Sequence, residues 1–165
     1  ERDRMSIKVI DKFFKGNENN KILKEIKTLK FKKGESDRPE TPPTGKVTKL
    51  KKTSFIYKTF LKTFKKQKIL PLGKKLFRAY INSFEPNENP YYHSDGKNVT
   101  TFLYYAVDFD EHDVDLGGET LFINDPLIQG IVPKKHRLVI FDDDVWHKAQ
   151  PFRDKIRYTI VFKYK

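Results

Sequence analysis

Two of the four histidines in this 165-residue chain stand where they could share an ion. His93-Ser94-Asp95 sets an imidazole and a carboxylate at positions i and i+2, which point to the same side of an extended segment. Alone the pair means little, because such spacings arise by chance; it needs a third donor. His147 supplies one, in Val145-Trp146-His147-Lys148-Ala149, a short strand-like run after the triple-Asp turn Asp142 to Asp144. The chain has no cysteine, so disulfides, thiolate nucleophiles and Cys-based zinc or iron–sulfur sites are excluded. Any metal must sit on His and carboxylate.

Two neutral imidazoles and one carboxylate on one face of an octahedral ion leave three neighbouring positions open, the donor set of non-haem iron(II) oxygenases. A 2-oxo acid can chelate through two of these and leave the third for dioxygen, whereas a closed structural zinc would want a fourth protein ligand. Arg157 follows in Lys155-Ile156-Arg157-Tyr158-Thr159-Ile160-Val161-Phe162, a strand otherwise apolar. A guanidinium buried there without a partner would cost several kcal/mol, roughly, and the far carboxylate of a dicarboxylic co-substrate would satisfy it with a bidentate pair. Taken singly, His93 and His147 read as satisfied structural histidines and Arg157 as a salt-bridged strand residue. Their ordered succession favours a metal site with an anion anchor.

One domain is expected at this length, with aromatics at 14% and apolar residues at 37% sufficient for a core. Residues 1–75 form a basic, helical support region. Ile7 to Asp11 suggests a short opening strand; Ile22, Leu23, Ile26 and Leu29 share a helical face after an Asn-rich capping segment. Residues 34–46, with Pro39, Pro42, Pro43 and Gly45, read as a mobile loop and a possible lid. A second helix is predicted from Ser54, its stripe being Ile56, Tyr57, Phe60, Leu61 and Phe64, with Lys58, Lys62, Lys65 and Lys66 facing water. From residue 76 the pattern changes to short runs rich in Phe, Tyr, Val, Ile and Thr. Strands are predicted near 76–84, 99–107, 119–124, 128–132, 137–142, 145–149 and 156–164, a mainly β region closing as a sandwich or barrel.

On these residues the segment 76–165 resembles the prolyl 4-hydroxylase-like branch of the 2-oxoglutarate and Fe(II) dependent oxygenases. Beyond the His-x-Asp…His triad, Leu76-Phe77-Arg78-Ala79-Tyr80 resembles the strand preceding it, and Thr101-Phe102-Leu103-Tyr104-Tyr105 the strand following it. Gly117-Gly118-Glu119-Thr120-Leu121-Phe122 resembles that family's turn-and-strand element, and Arg137 to Phe141 leads to the second His as in that family. The resemblance implies a double-stranded β-helix, or jelly roll, buttressed by N-terminal helices, with residues 76–165 as its catalytic core. It further implies Fe(II), 2-oxoglutarate and O2, with ascorbate as an accessory, and Tyr105 and Tyr80 hydrogen-bonding 2-oxoglutarate beside Arg157. The implied reaction is oxidative decarboxylation to succinate and carbon dioxide with hydroxylation of a substrate carbon, the cofactor doing the hard chemistry. No protein acid or base is then expected. Several collagen-type members have Lys where Arg157 stands, so the oxygen-sensor and microbial members are nearer in this respect.

The net charge of +12 is lopsided: residues 1–75 carry 23 Lys plus Arg against 8 acids, and residues 76–165 carry 11 against 14. Of the 34 basic residues 27 are Lys, which suits a solvated face better than forked base readout. A protein or peptide substrate, prolyl foremost, is the leading expectation. Alternatives are a nucleic-acid demethylase guided by the basic half and a small-molecule hydroxylase; from other classes, a binding module or a cupin-type isomerase. The demethylase is disfavoured because Lys163 stands where that group has a second Arg in the final strand. No run approaches a membrane span and Glu1 to Met5 lacks the apolar core of a signal peptide, so a cytoplasmic protein without membrane partner is expected, with Met5 as a candidate natural start. Asp108 to Asp115 lacks the Gly of a calcium loop, and His112 and His136 read as surface histidines.

Overall fold

A computed structural model of the chain describes residues 7–142 and 144–165; the candidate start at Met5 and the centre of the triple-Asp turn, Asp143, lie outside them. The elements run β1 (Ile7–Ile10), α1 (Glu18–Ile26), β2 (Lys32–Lys33), β3 (Lys46–Lys49), α2 (Phe55–Lys66), β4 (Leu76–Phe84), β5 (Thr100–Tyr105), β6 (Thr120–Asn124), β7 (Leu127–Ile131), β8 (Leu138–Asp142), β9 (His147–Ala149) and β10 (Arg157–Tyr164). They form a seven-stranded sheet in the order β1-β8-β5-β10-β4-β3-β2 and a three-stranded sheet in the order β7-β6-β9, with antiparallel pairing throughout. This is the mainly β jelly-roll architecture with N-terminal helices that the sequence suggested.

The period of two along each strand divides the large sheet into two working faces. On β10, Ile160, Phe162 and Tyr164 join Phe102 and Tyr104 of β5 and Ala79 and Ile81 of β4 in a core that receives the helices. Against them α1 presents Ile22 and Ile26, and α2 presents Ile56, Phe60 and Phe64, all buried. Phe60 and Phe64 meet Phe13, Tyr104, Phe102 and Phe162 in ring contacts of 4.7–5.8 Å. The α2 lysines Lys58, Lys62, Lys65 and Lys66 are exposed, as their positions off the stripe require. Ser54 caps α2, its hydroxyl accepting from the Tyr57 amide. The opposite face of the sheet turns Tyr80, Leu103, Tyr105, Val139, Phe141 and Val161 toward the small sheet.

Two local readings change, and strands that the sequence did not mark flank the predicted loop over 34–46. Helix α1 ends at Ile26, one turn before Leu29, which still packs on the core. The segment from 32 to 49 contributes two strands, β2 and β3, to the sheet edge, and between them the chain folds back on itself through a Ser36–Pro43 bridge and a Gly34 amide donating to the Gly45 carbonyl. Lys-rich strands of two and four residues carry no apolar alternation, so nothing in the sequence marked them. His112 is no surface histidine: its side chain is 5% exposed and its Nε2 sits 2.7 Å from the Gly117 carbonyl, inside the turn. Among the described residues no helix is long and apolar enough to cross a membrane.

Asn19 ties the helical layer to the sheet. Buried to 1% exposure, its amide donates to the Val107 carbonyl at 2.9 Å while its carbonyl accepts from the Tyr104 hydroxyl. Asn19→Ala strands two buried polar groups, so it is expected to lower stability by about 2 kcal/mol. Chemical denaturation followed by circular dichroism would show the loss as a lower midpoint at unchanged slope.

Candidate metal centre

His93 and His147, far apart in sequence, face each other across an isolated antiparallel bridge in which each backbone amide donates to the other residue's carbonyl, at 3.0 and 2.9 Å. Opposed residues of such a pair carry their side chains on one side, and the two imidazole centroids are 4.4 Å apart. Asp95, two residues beyond His93, joins them: its Oδ1 is 3.4 Å from His93 Nε2 and its Oδ2 is 3.7 Å from His147 Nε2. One donor atom from each residue lies within 4.8 Å of the others.

The surroundings prepare each donor. His147 Nδ1 lies 2.8 Å from the Val145 carbonyl, which fixes the hydrogen on Nδ1 and leaves the Nε2 lone pair free. Burial lowers the His147 pKa to about 4, despite the opposing pull of Asp95, so its ring is neutral at physiological pH. His93 behaves oppositely: burial would lower it, but Asp37 and Asp95 on either side push it up to about 9. Asp95 is held well below the usual carboxylate range, the cost of burial being overcome by His93, His147, Lys163 and Thr101. The proton that the two acids hold on His93 is one that a bound metal ion would displace, and with it gone the trio offers an ionised carboxylate and two neutral imidazoles. A divalent ion fits that donor set, with His93, Asp95 and His147 as its holders.

The same cavity is lined by Arg157 together with Thr120, Leu103, Thr159, Val161 and Tyr80. Arg157 is 2% exposed; its Nε donates to the Gly118 carbonyl at 2.9 Å and its Nη2 to Thr120 Oγ1 at 3.0 Å. Among the described residues no acid lies within ion-pair distance of it, and Nη1 has no hydrogen-bond partner. The salt-bridged alternative for this residue is therefore not what the fold builds. Gly118 is required for the clasp. Its φ is +84°, and a side chain there would overlap the Phe152 ring, so only glycine brings this carbonyl to Arg157.

The two tyrosines fall differently. Tyr80 stands in the cavity wall. Tyr105 lies behind it: its hydroxyl pairs with Thr120 Oγ1 at 2.7 Å and reaches the Ile131 carbonyl at 3.1 Å, with the Arg157 guanidinium 5.7 Å from its ring centroid. Thr120 thus links Tyr105, behind the wall, to Arg157 in it through one hydroxyl.

Three contributors escaped sequence reasoning. Asp37 reaches His93 Nδ1 at 3.2 Å from the Pro-rich segment, where no pattern marks it. Thr101 donates to Asp95 Oδ2 at 2.6 Å. Lys163, 8% exposed, donates from Nζ to Asp95 Oδ1 at 2.9 Å and lies 5.5 Å from the Tyr80 ring centre. A lysine six positions from Arg157 in an apolar strand was a visible signal, since even spacing puts both on one face.

Neither a family model nor a curated protein matches the sequence. Solved structures do match in shape. A Pseudomonas putida prolyl-4-hydroxylase superposes with a TM-score of 0.79 at 13% identity, over 98% of this chain and 93% of that one. A Trichoplax adhaerens prolyl hydroxylase, solved with a hypoxia inducible factor peptide fragment, gives 0.73 at 16% identity, over 98% and 84%. This is the fold of the 2-oxoglutarate and Fe(II) dependent oxygenases. HygX from Streptomyces hygroscopicus, solved with nickel and 2-oxoglutarate, shares the oxygenase fold with a TM-score of 0.72 at 11% identity, over 98% and 83%.

Removing Lys163 tests the electrostatics of this centre. Lys163→Met leaves Asp95 buried with one cation fewer and is expected to cost about 3 kcal/mol without metal. Saturating Mn(II) should then raise the melting temperature of the variant more than that of the unsubstituted protein, because the ion replaces the missing charge. Asp95→Asn should abolish Mn(II) binding by calorimetry.

Proposed function

We propose that the protein is a 2-oxoglutarate-dependent Fe(II) oxygenase that hydroxylates a side chain of a protein or peptide, prolyl being the leading target. The observation that carries this reading is the cavity shared by the His93–Asp95–His147 trio and a buried guanidinium without an acid. Burial disfavours the charged form of Arg157, and among the described residues no carboxylate lies within ion-pair distance of it, Glu119 acting only from farther away. A dicarboxylate would neutralise it, its far carboxylate meeting the unused Nη1 while Nε and Nη2 remain fixed on Gly118 and Thr120. Fe(II) held by the trio would supply oxygen activation and the oxidative decarboxylation of 2-oxoglutarate to succinate.

The chain's own residues supply orientation. Arg157 fixes one end of the co-substrate, and Thr120, held by Tyr105, sets the guanidinium plane. Leu103, Val161 and Phe141 supply the apolar part of the cavity wall. Tyr80, in the wall near Lys163 and Asp95, is placed to contact co-substrate or substrate. No side chain needs to act as general acid or base. Peptide-acting and small-molecule-acting proteins share the fold, one structural neighbour carrying a peptide and another hygromycin B. The open groove beside the metal centre favours an extended substrate here.

The test is succinate release under air with Fe(II), 2-oxoglutarate and ascorbate, stimulated by proline-containing peptides that gain one oxygen by mass. Arg157→Gln should raise the 2-oxoglutarate KM by about a hundredfold, the loss of a charge-assisted pair worth about 3 kcal/mol, while Mn(II) affinity changes little. Iron-loaded protein that releases no succinate with any peptide or alone overturns the reading.

A further inference from the structure

The face of the large sheet that carries Arg157, Lys163 and Tyr80 continues past the metal site to the β2 edge, and there it turns basic. In the register of the strands, Arg78 opposes Lys163, Lys49 opposes Tyr80, Val47 opposes Asn82, and Lys32 opposes Val47. Directly opposed residues share a face, so Arg78, Lys49 and Lys32 lie on the same side as Tyr80, Asn82 and Lys163. Lys32 and Lys49 are exposed. A groove of about 590 Å³ runs along this edge; its charged lining is Lys30, Lys32, Lys49, Lys52, Arg78 and Glu35. Glu35 is its one acid and is bonded to Arg78 at 2.7 Å, leaving four lysines without an acid in the lining. The apolar side of the groove is Tyr57, Leu76 and Phe77, the last 53% exposed.

A cleft lined by Glu35, Asp37, Arg78, Tyr80, His93, Asp95 and Lys163 joins this groove to the metal cavity, sharing Tyr80, Asp37, His93 and Asp95 with one and Glu35, Arg78 and Val47 with the other. Charge is therefore sorted along one path: acids at the mouth, lysines farther out. Building on the oxygenase reading, we propose that the lysine platform at the β2–β3 edge docks an acidic flank of a polypeptide substrate whose neutral target residue sits at the metal. The path from β10 across β4 and β3 to β2 covers three strand spacings, about 14 Å, which an extended peptide crosses in about four residues. Carboxylates three to five residues from the target, roughly, thus reach the lysines. A nucleic-acid strand fits less well, because its unbroken run of phosphates would have to pass Glu35 and Asp37 at the mouth.

The test uses the full chain and three labelled probes in anisotropy titrations: a penta-glutamate peptide, a penta-glutamine peptide of equal length, and oligothymidylate. The glutamate peptide should bind with an affinity that falls as salt rises, and the glutamine peptide should not bind. The paired change Lys32→Glu with Lys49→Glu should weaken glutamate-peptide binding by about tenfold or more, whereas Lys24→Glu with Lys27→Glu, the same charge change at the C-terminal end of α1, should alter it by less than about twofold. Equal losses in both pairs mean attraction to net charge alone and overturn the platform. Oligothymidylate binding more tightly than the glutamate peptide, and lost with Lys32 and Lys49, overturns it in favour of nucleic acid. In succinate assays, moving a glutamate run from next to the proline to four residues away should lower the peptide KM in the unsubstituted protein and not in the Lys32/Lys49 variant; no such difference also overturns the proposal. If no peptide yields succinate while the binding pattern holds, the oxygenase reading fails and the acidic-peptide site stands.

Discussion

The structure depends on a two-residue bridge. His93 and His147 exchange backbone hydrogen bonds at a point where neither lies in a long paired strand, and this sets the imidazoles side by side. Backbone pairing is well suited to the task, since it sets side-chain position without using the side chains. The rings remain free for an ion, and the supporting contacts, Val145 carbonyl to His147 and Asp37 to His93, use only the nitrogens that face away from it. Asp95 follows by simple extension, two residues on.

Strand β10 carries the second constraint. Its inward residues are Arg157, Thr159, Val161 and Lys163, two buried cations separated by two compact side chains. The two cations are treated differently. Lys163 has its carboxylate within the protein, in Asp95. Arg157 has only a carbonyl and a hydroxyl, dipoles that steady a guanidinium without neutralising it. Holding a charge in such a place costs stability, and the fold accepts the cost where a ligand can repay it. The outward residues of the same strand, Ile160, Phe162 and Tyr164, anchor the helices, so the site and the core are built on opposite sides of one element.

Electrostatics outside the cavity follow the same separation. The metal centre is bounded by acids, Asp37 and Asp95, while the helices and the β2–β3 edge are rich in lysine. The basic excess of the first half of the chain is thus spread between a helical face turned to solvent and a groove continuous with the site. Net charge alone could not distinguish these uses; position does.

Sequence alone determined the strands from residue 76 onward, the two helical stripes, and the convergence of His93, Asp95 and His147, because alternation, amphipathic period and residue chemistry are local properties that survive without coordinates. Strand β4 was bounded as found, and β10 within one residue at its start. The tertiary structure decided what depends on pairing between distant segments: that residues 32–33 and 46–49 become strands, that Asp37 reaches His93, that Lys163 meets Asp95, and that Tyr105 stands behind Thr120 and not in the cavity wall. These are matters of register and of which face meets which. A lysine-rich tetrapeptide or a lone aspartate has no periodicity to announce its partner, and only closure of the sheet brings it within hydrogen-bond reach.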